Sequence, residues 1–252
     1  IPGAAGGLRF GVGAILDGTM SMIEFTREEL GEKPFTPENI QELFQDEERF
    51  KKIRNRALAR GLTIGTIEAF AGAAAGKIAK EEAFFAASNT NIKIIDDTIW
   101  IAIGGMESYI LKSVDKGKTW KTYKTPLIQG KPSTGIYSID FADKNHGIIM
   151  GGDYANPLEN LQNKAITIDG GKNWTLVADG ENPNYKSCVQ YVPNTNGKEV
   201  FAVGKTGISF SNDGGKSWKE VSKEAYYTIQ FVDKNVAWLA GNKKIGKLIL
   251  KQ

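Results

Sequence analysis

Short apolar runs, each closed by a glycine, recur in the second part of the chain. They occupy residues 99–104, 147–151, 200–204 and 237–241. Runs of this length, rich in branched and aromatic side chains and bounded by turn residues, are typical of buried β-strands. A second repeat, Phe-x-Asp-Lys-Asn, stands at 141–145 and returns at 231–235. The pattern predicts a mainly β fold of four sheets, at about residues 84–125, 135–180, 186–222 and 225–251, the last with three strands.

A polar phrase, Ser/Thr-x-Asp-x-Gly-Lys-x-Trp, occurs three times between these runs. Its copies begin at Ser113, Thr167 and Ser211, which are 54 and 44 residues apart. Repeats of about 40–50 residues in a strand-rich chain are typical of β-propeller blades. The hydroxyl and carboxylate suit a tight turn, the glycine a positive φ, and the tryptophan packing between sheets. We therefore predict structural turns built from Ser113, Asp115, Gly117, Trp120, Thr167, Asp169, Gly171, Trp174, Ser211, Asp213, Gly215 and Trp218.

Residues 1–82 lack the strand pattern and form a separate region. Two Gly/Ala-rich runs, at 1–23 and 61–78, flank a charged middle. Within the middle, apolar residues recur at helical spacing, and Thr36 before a proline has the character of a helix N-terminus. This predicts one helix from Thr36 to about Arg60, packed closely with the flanking runs through glycines four residues apart. Membrane contact of this region is the less favoured alternative, because charged residues interrupt both runs.

Composition limits the chemistry of the chain. Its 252 residues carry a net charge of +3, with one cysteine, Cys188, and one histidine, His146. One cysteine allows no internal disulfide, and this residue set argues against a zinc site. The small charge argues against nucleic acid, and one carboxylate per turn is too few for calcium. We expect no cofactor and no metal. Cys188 is interpreted as a small buried residue, and His146 as a packing position at the start of a strand.

The arginines separate the two regions. All six lie before residue 61, whereas all five tryptophans lie after residue 99, which favours separate origins for residues 1–82 and 83–252. A sialidase holds its substrate carboxylate with a cluster of arginines. Residues 83–252 contain no arginine, so that chemistry is excluded there. A general glycosidase needs only two carboxylates, and Asp140, Asp153 and Glu159 are the candidates for it.

The repeated phrase resembles the Asp-box, or BNR repeat, of β-propellers. The segments 84–90, 134–139, 146–154 and 191–193, in this order, further resemble bacterial proteins of the photosystem II stability/assembly-factor type, often labelled "oxidoreductase". The resemblance covers about residues 83–252. It implies a seven-bladed, exported propeller that acts as an assembly or binding platform. Helical sequence stands where earlier blades are expected. The label is not supported by the residues, since no Gly-x-Gly-x-x-Gly motif or cysteine pair is present.

The loops opposite the repeated turns are the predicted binding surface. If the turns join the third and fourth strands of each sheet, the long loops at 125–134, 152–163 and 179–186 lie at the other end. Their aromatic, amide and charged residues suit recognition of a protein partner. The candidates are Lys131, Asp153, Tyr154, Asn156, Asn163, Tyr185 and Lys186. The favoured function is therefore non-catalytic binding or scaffolding. A carbohydrate-active or glycan-binding propeller is the alternative, and a structural component of a virion or secretion assembly is a third.

Overall fold

The computed structural model describes residues 25, 28–33, 39, 42, 43, 46–59, 82, 83 and 90–250. The chain divides into two compact units, one of residues 1–80 with 113–120 and one of residues 81–112 with 121–252. The predicted Gly/Ala-rich helices at 1–23 and 61–78 lie outside the described residues, as does the predicted cap at Thr36. No described helix is long and apolar enough to cross a membrane.

The first unit contains helix α1, Glu47–Ala59. The carboxylate of Asp46 accepts the backbone N–H of Arg49 at 3.1 Å, so Asp46 caps the helix. The described residues 39, 42, 43 and 47–59 of the predicted helix are helical, with a bend at Asp46 between them; its predicted start and end lie outside the described residues. Leu43 and Ile53 are fully buried, as their spacing predicted.

Among the described residues, the second unit contains sixteen strands in four antiparallel sheets. From β2 onwards, strands of one sheet that follow one another in the chain are neighbours, while β1 pairs with the other end of β3, at Gly104 and Gly105. Sheet 4 has three strands in the part of the chain that the structure describes, as predicted. Sheet 1 contains β1 Glu82–Ala83, β2 Ile92–Ile95, β3 Thr98–Gly105, β4 Tyr109–Ser113 and β5 Lys121–Lys124; sheet 2 contains β6 Thr134–Phe141, β7 Gly147–Asp153, β8 Lys164–Thr167 and β9 Thr175–Leu176; sheet 3 contains β10 Cys188–Tyr191, β11 Val200–Gly204, β12 Gly207–Ser211 and β13 Lys219–Ser222; sheet 4 contains β14 Thr228–Phe231, β15 Val236–Gly241 and β16 Lys244–Ile249.

The four sheets pack face to face in chain order. Between sheets 1 and 2, the ring of Trp100 stacks on Phe141 with centroids 4.0 Å apart. Between sheets 2 and 3, Ile148 and Met150 meet Val200 and Ala202. Sheets 3 and 4 enclose a third cluster, in which Phe201 lies 5.7 Å from Phe231. Successive antiparallel sheets of three to five strands, packed in this way, make the second unit a partial β-propeller.

Along the second strand of each sheet, alternate residues face opposite neighbours. In β11, Val200 and Ala202 belong to the cluster shared with sheet 2, whereas Phe201 and Val203 belong to the cluster shared with sheet 4. This explains why the apolar runs are continuous rather than alternating, since both faces of each inner sheet are covered.

Close approach explains the glycine that ends these runs. A Cβ on Gly151 would lie 1.9 Å from the carbonyl oxygen of Gly135 on the neighbouring strand. A Cβ on Gly204 would lie 2.9 Å from the Cα of Lys186. Neither distance is compatible with a side chain, so glycine is required where the second strand leaves the core.

Polar side chains join the first strands of neighbouring sheets. The hydroxyl of Ser138 accepts the N–H of Val189 at 2.9 Å, and the carboxylate of Asp140 accepts that of Tyr191 at 2.7 Å. Gln190 accepts the N–H of Phe231 at 2.9 Å in the same way. These bonds connect sheets 2, 3 and 4 beyond their apolar contacts.

Strand direction places the connections at two ends of the sheets. Because an antiparallel meander reverses at each strand, the connections between strands one and two and between strands three and four lie at one end. We call this end the turn face, since it carries the repeated turns. The other end, the loop face, carries residues 105–108, 125–133, 154–163, 177–187, 205–206, 223–227 and 242–243. The arrangement agrees with the prediction.

Candidate functional site

Each repeated turn is closed by its own side chains. In the third turn, the Ser211 hydroxyl donates to Asp213 at 2.8 Å and accepts the N–H of Gly215 at 2.8 Å. Asp213 also accepts the N–H of Ser217 at 2.9 Å, and the indole N–H of Trp218 donates to the carbonyl of Gly215 at 2.8 Å. The turns that begin at Ser113 and Thr167 repeat every one of these contacts.

Hydrogen bonds hold the carboxylates of the repeated turns, and the turn conformation requires a positive φ at their glycines. Hydrogen bonds from the Thr119 side chain and backbone lower the pKa of Asp115 to about 2. Burial would raise the pKa of Asp169, but bonds from Asn173 outweigh it and lower that pKa to about 2. Gly171 has a φ of 85°, as the motif predicts. Among the described residues, no group of three or more His, Cys, Asp or Glu side chains is placed to hold a metal ion.

The predicted binding residues of the loop face fall into two sets. Lys131, Tyr154 and Asn156 are exposed. Four others are buried, contrary to the expectation that they lie on an accessible surface; these are Asp153, Asn163, Tyr185 and Lys186, with 6%, 1%, 5% and 2% exposure. Their burial means that they support the loops rather than offer contact area.

Asp153 and Asn163 hold the two ends of the loop at 154–163. The Asp153 carboxylate accepts the N–H of Ala155 at 2.9 Å. Burial would raise the pKa of Asp153, but bonds from the Ser133 hydroxyl and the Ala155 N–H lower it. At the other end, the Asn163 side-chain amide donates to the carbonyl of Pro183 at 3.0 Å. The loop is thus fixed to the sheet where it leaves and where it returns.

Two buried lysines fix the loop at 177–187. Lys164 donates to the Asn163 side chain at 2.7 Å and to the carbonyl of Glu181 at 2.8 Å. Lys186 donates to the Thr206 hydroxyl and the Gly207 carbonyl, each at 3.0 Å. Burial lowers the pKa of each ammonium group to about 8. Lys164 therefore connects this loop to β8, and Lys186 connects it to the start of β12.

Three tyrosines pack edge-on beneath the loop face. The ring of Tyr137 lies 4.9 Å from Tyr185 and 6.2 Å from Tyr154, in near-perpendicular arrangements. Lys205 donates to the carbonyl of Tyr154 and lies 5.7 Å above the ring of Tyr185. Tyr137 and Tyr185 are buried, so only Tyr154 presents its ring to solvent. The buried rings of Tyr137 and Tyr185 therefore determine the orientation of the exposed Tyr154 ring.

The fixed loop presents apolar side chains to solvent. Tyr154, Leu158 and Leu161 are 46%, 70% and 53% exposed. Glu159 accepts the N–H of Leu161 at 3.2 Å, and Asp179 accepts the N–H of Gln162 at 2.6 Å. The two leucines were not among the predicted binding residues, which are all aromatic, amide or charged. The available signal was their position in a loop rich in proline and asparagine, where no strand requires an apolar residue.

The turn face has two adjoining clefts between sheets 2 and 3. A cleft of about 800 Å³ runs past His146 and Lys216, and one of about 370 Å³ lies over Lys93 and Asp140. His146 is exposed, with its Nδ1 2.8 Å from the Asp143 carboxylate. The prediction that His146 packs at the start of a strand is therefore wrong, because its side chain turns back onto Asp143.

Of the three candidate glycosidase carboxylates, Asp140 and Asp153 lie far apart, and Glu159 accepts the backbone N–H of Leu161 within its own loop. Asp140 on β6 pairs with Ile148 on β7. Asp153 ends β7 five residues after Ile148, which is about 17 Å along the strand. A glycosidase pair is separated by about 5–9.5 Å. Asp140 is already committed to Lys93, at 2.6 Å, and to the backbone of Tyr191. The lowered pKa of Asp153 is opposite to that of a general acid.

Comparisons with known proteins find similarity in structure. No protein-family model matches the chain, and no curated protein matches it. Among solved structures, it is similar to an ancestral GH74 enzyme, with 18% identity over 63% of this chain and 22% of that one, at a TM-score of 0.48. It is also similar to the GH74 enzyme of Niastella koreensis, with 14% identity over 66% and 30% of the two chains, at a TM-score of 0.46. A third is YCF48 bound to D1 peptide, with 17% identity over 68% and 55%, at a TM-score of 0.46.

These similarities have a limited meaning. The chain spans 22%, 30% and 55% of the length of the three solved structures. Similarity at such identities concerns the fold and does not transfer an activity or a ligand. The partial β-propeller rests on the order and packing of the four sheets described above.

Proposed function

We propose that this chain is a non-catalytic binding or scaffolding propeller of the Asp-box type, which recognises a protein partner through its loop face. The observation that carries the proposal is the loop at 154–163, which is fixed at both ends and presents Tyr154, Leu158 and Leu161 to solvent. A rigid loop loses little conformational entropy on binding, so its exposed apolar area contributes more fully to affinity.

The similar solved structures belong to two classes of protein. YCF48 was determined with a D1 peptide, and the GH74 proteins are enzymes. The catalytic alternative is the weaker one here, because Asp140 on β6 and Asp153 on β7 lie at opposite ends of this strand pair. The buried Asp153 serves its own turn, which also favours a supporting role over a chemical one.

Replacement of Tyr154, Leu158 and Leu161 by serine tests the proposal. The three side chains are exposed, so we expect the free energy of unfolding to change by less than about 1 kcal/mol. Capture of the specific partner from an extract of the source cells should fall at least about tenfold, which corresponds to about 1.4 kcal/mol of binding free energy. Capture would be measured by quantitative mass spectrometry.

Ile168→Ser is the matched control. Ile168 is 73% exposed, close to the 70% of Leu158, but it lies in a repeated turn on the turn face. It should leave capture unchanged. Equal loss in the control and the triple variant, or no loss in either, would contradict the loop face as the binding surface. Binding on a glycan array, or hydrolysis of a glycan that the triple variant loses, would favour the carbohydrate class instead.

A further inference from the structure

A carboxylate stands between the two exposed leucines of the loop at 154–163. The Glu159 carboxylate accepts the N–H of Asn160 at 2.9 Å and the N–H of Leu161 at 3.2 Å. These bonds hold its charge beside Leu158 and Leu161, whose side chains are 70% and 53% exposed. The charge is therefore a fixed part of the apolar surface and not the end of a freely moving side chain.

The neighbouring loop at 177–187 brings two more carboxylates to the same surface. Asp179 accepts the N–H of the residue that follows Leu161, at 2.6 Å. The backbone of Gly180 lies against Leu161, because a Cβ added at Gly180 would be 3.8 Å from a methyl carbon of that leucine. Asp179 and the next acidic residue, Glu181, are both exposed. The leucines thus lie among three rim carboxylates, which belong to Glu159, Asp179 and Glu181.

Positive charge is scarce around the leucines. The two loops contain no arginine, and their single lysine, Lys186, is buried. The exposed Lys205 lies at the other end of the surface, where it donates to the carbonyl of Tyr154. The buried ammonium group of Lys164 is attracted by two of the rim carboxylates. Even with that charge counted, the rim stays negative, whereas residues 83–252 carry 21 lysines against 16 acidic residues.

The charge of the rim decides which class of partner fits the leucines. Carboxylates repel nucleic acid and anionic lipid head groups, and they attract lysine and arginine side chains. A symmetric dimer through this surface would bring the same carboxylates of two copies together, which is unfavourable. A basic segment of another protein is the occupant that matches both the apolar area and the charge.

We propose that this surface binds a segment of a partner protein in which apolar side chains are flanked by lysine or arginine. The apolar side chains cover Leu158 and Leu161, and the cationic side chains pair with the rim carboxylates. Burial of the leucines supplies affinity, and the charge pairs supply selectivity. This inference rests on the loop-face function proposed above, and it adds the chemical class of the partner.

A random library of dodecapeptides displayed on phage is the probe. The library is selected on the full chain and then depleted on the variant in which Tyr154, Leu158 and Leu161 are replaced by serine. Only peptides that need this surface remain after the second step. We expect them to contain apolar residues with more lysine and arginine, and less aspartate and glutamate, than the unselected library.

Neutral replacements of the rim carboxylates test the role of their charge. Glutamine and asparagine keep an oxygen that accepts the same backbone N–H groups, so the loops stay in place. The rim variant combines Glu159→Gln, Asp179→Asn and Glu181→Gln. The control variant removes the same number of charges from the turn face and combines Asp96→Asn, Asp97→Asn and Glu199→Gln.

The selected peptides are synthesised, and their binding is measured by fluorescence anisotropy. The rim variant should bind them at least about tenfold more weakly than the parent protein, because three exposed charge pairs of ordinary strength together account for a change of that size. Its affinity should also depend less on salt concentration. The control variant should bind as the parent protein does.

The possible failures have different meanings. If no peptide depends on the leucines, the loop-face function fails and this inference fails with it. If the leucine-dependent peptides are neutral or acidic, or if the rim and control variants bind them equally, the loop-face function stands and only the basic partner is wrong. A dimer that the serine variant abolishes, or binding to phosphatidylserine vesicles that it loses, would assign the surface to a second copy or to a membrane instead.

A second measurement does not depend on the folding of the rim variant. Folding of each variant is checked by near-ultraviolet circular dichroism. Peptides with glutamine in place of every lysine and arginine are measured on the parent protein, where we expect at least about tenfold weaker binding. Equal affinity of the charged and the neutral peptides would overturn the proposal.

Discussion

A single carboxylate closes each repeated turn of the protein. The Asp213 carboxylate accepts two bonds from Ser217 and one from the Ser211 hydroxyl. The exposed residue between them, Asn212, takes no part in these bonds. The turn therefore contains positions that fix the backbone and positions that vary, and Asn212 occupies one of the three variable positions of the phrase.

Replacement of Asp213 by alanine should lower the free energy of unfolding by about 1 kcal/mol, because three donors lose their acceptor in an exposed turn. The measurement is urea unfolding followed by tryptophan fluorescence. Asn212→Ala, at the neighbouring exposed position, should change the free energy by less than about 0.5 kcal/mol. A similar effect of the two substitutions would show that the carboxylate is not what holds the turn.

Strands of neighbouring sheets share polar links as well as apolar contacts. Ser138 on β6 accepts the N–H of Val189 on β10, and its hydroxyl lies 2.7 Å from that of Thr90 beside sheet 1. One side chain in the middle of a strand thus joins three sheets. Both strands are buried, so water is not available to replace the bond.

Ser138→Ala tests how much the hydrogen bond between Ser138 and Val189 contributes to stability. A buried N–H left without an acceptor costs about 1–3 kcal/mol, so we expect a loss of that size in the free energy of unfolding. Hydrogen exchange measured by nuclear magnetic resonance should show that the Val189 amide loses more protection than the amides of β12 in the same sheet. A uniform loss across sheet 3 would contradict a local link between β6 and β10.

The buried ionisable groups together determine how stability depends on pH. Burial lowers the pKa of Lys164 and Lys186 to about 8, and burial raises the pKa of Tyr137, Tyr185 and Tyr191. Between about pH 8 and 10.5 the unfolded chain binds more protons at the lysines than the folded one, so stability rises with pH. Above about pH 10 the folded chain retains tyrosine protons that the unfolded chain loses, so stability falls.

We therefore expect the free energy of unfolding to pass through a maximum near pH 10, with a rise of at most about 1.4 kcal/mol per pH unit for each lysine. Urea unfolding at a series of pH values provides the measurement. Lys186→Met should flatten the rise, because it removes one of the two groups that release protons on folding. A flat profile between pH 8 and 10 in the parent protein would contradict the burial of these charges.

The four sheets were predictable because their apolar runs are long and regular, whereas the site was only partly so. Tyr185 and Lys186 have the composition of an exposed loop. Their burial depends on residues that are distant in the sequence: the Thr206 hydroxyl donates to the Tyr185 carbonyl, and Lys186 donates to the Gly207 carbonyl. The local sequence pattern does not show which distant residues these side chains will contact. Leu158 and Leu161 show the opposite case, since apolar residues usually indicate core and here remain exposed. Binding through the loop face, export and a role for residues 1–82 stay predictions.

The lysines at the end of the chain also bear on solubility. β16 contains the sequence Ile-Gly-Lys-Leu-Ile, at residues 245–249, in which Ile245 and Ile249 are 76% and 59% exposed and Lys247 separates them. Lys243, Lys244 and Lys247 keep copies of this strand apart by mutual repulsion. Acetylation of these lysines would remove that protection while leaving the fold in place. The same three charges would then decide between a protein that stays dissolved and one that aggregates.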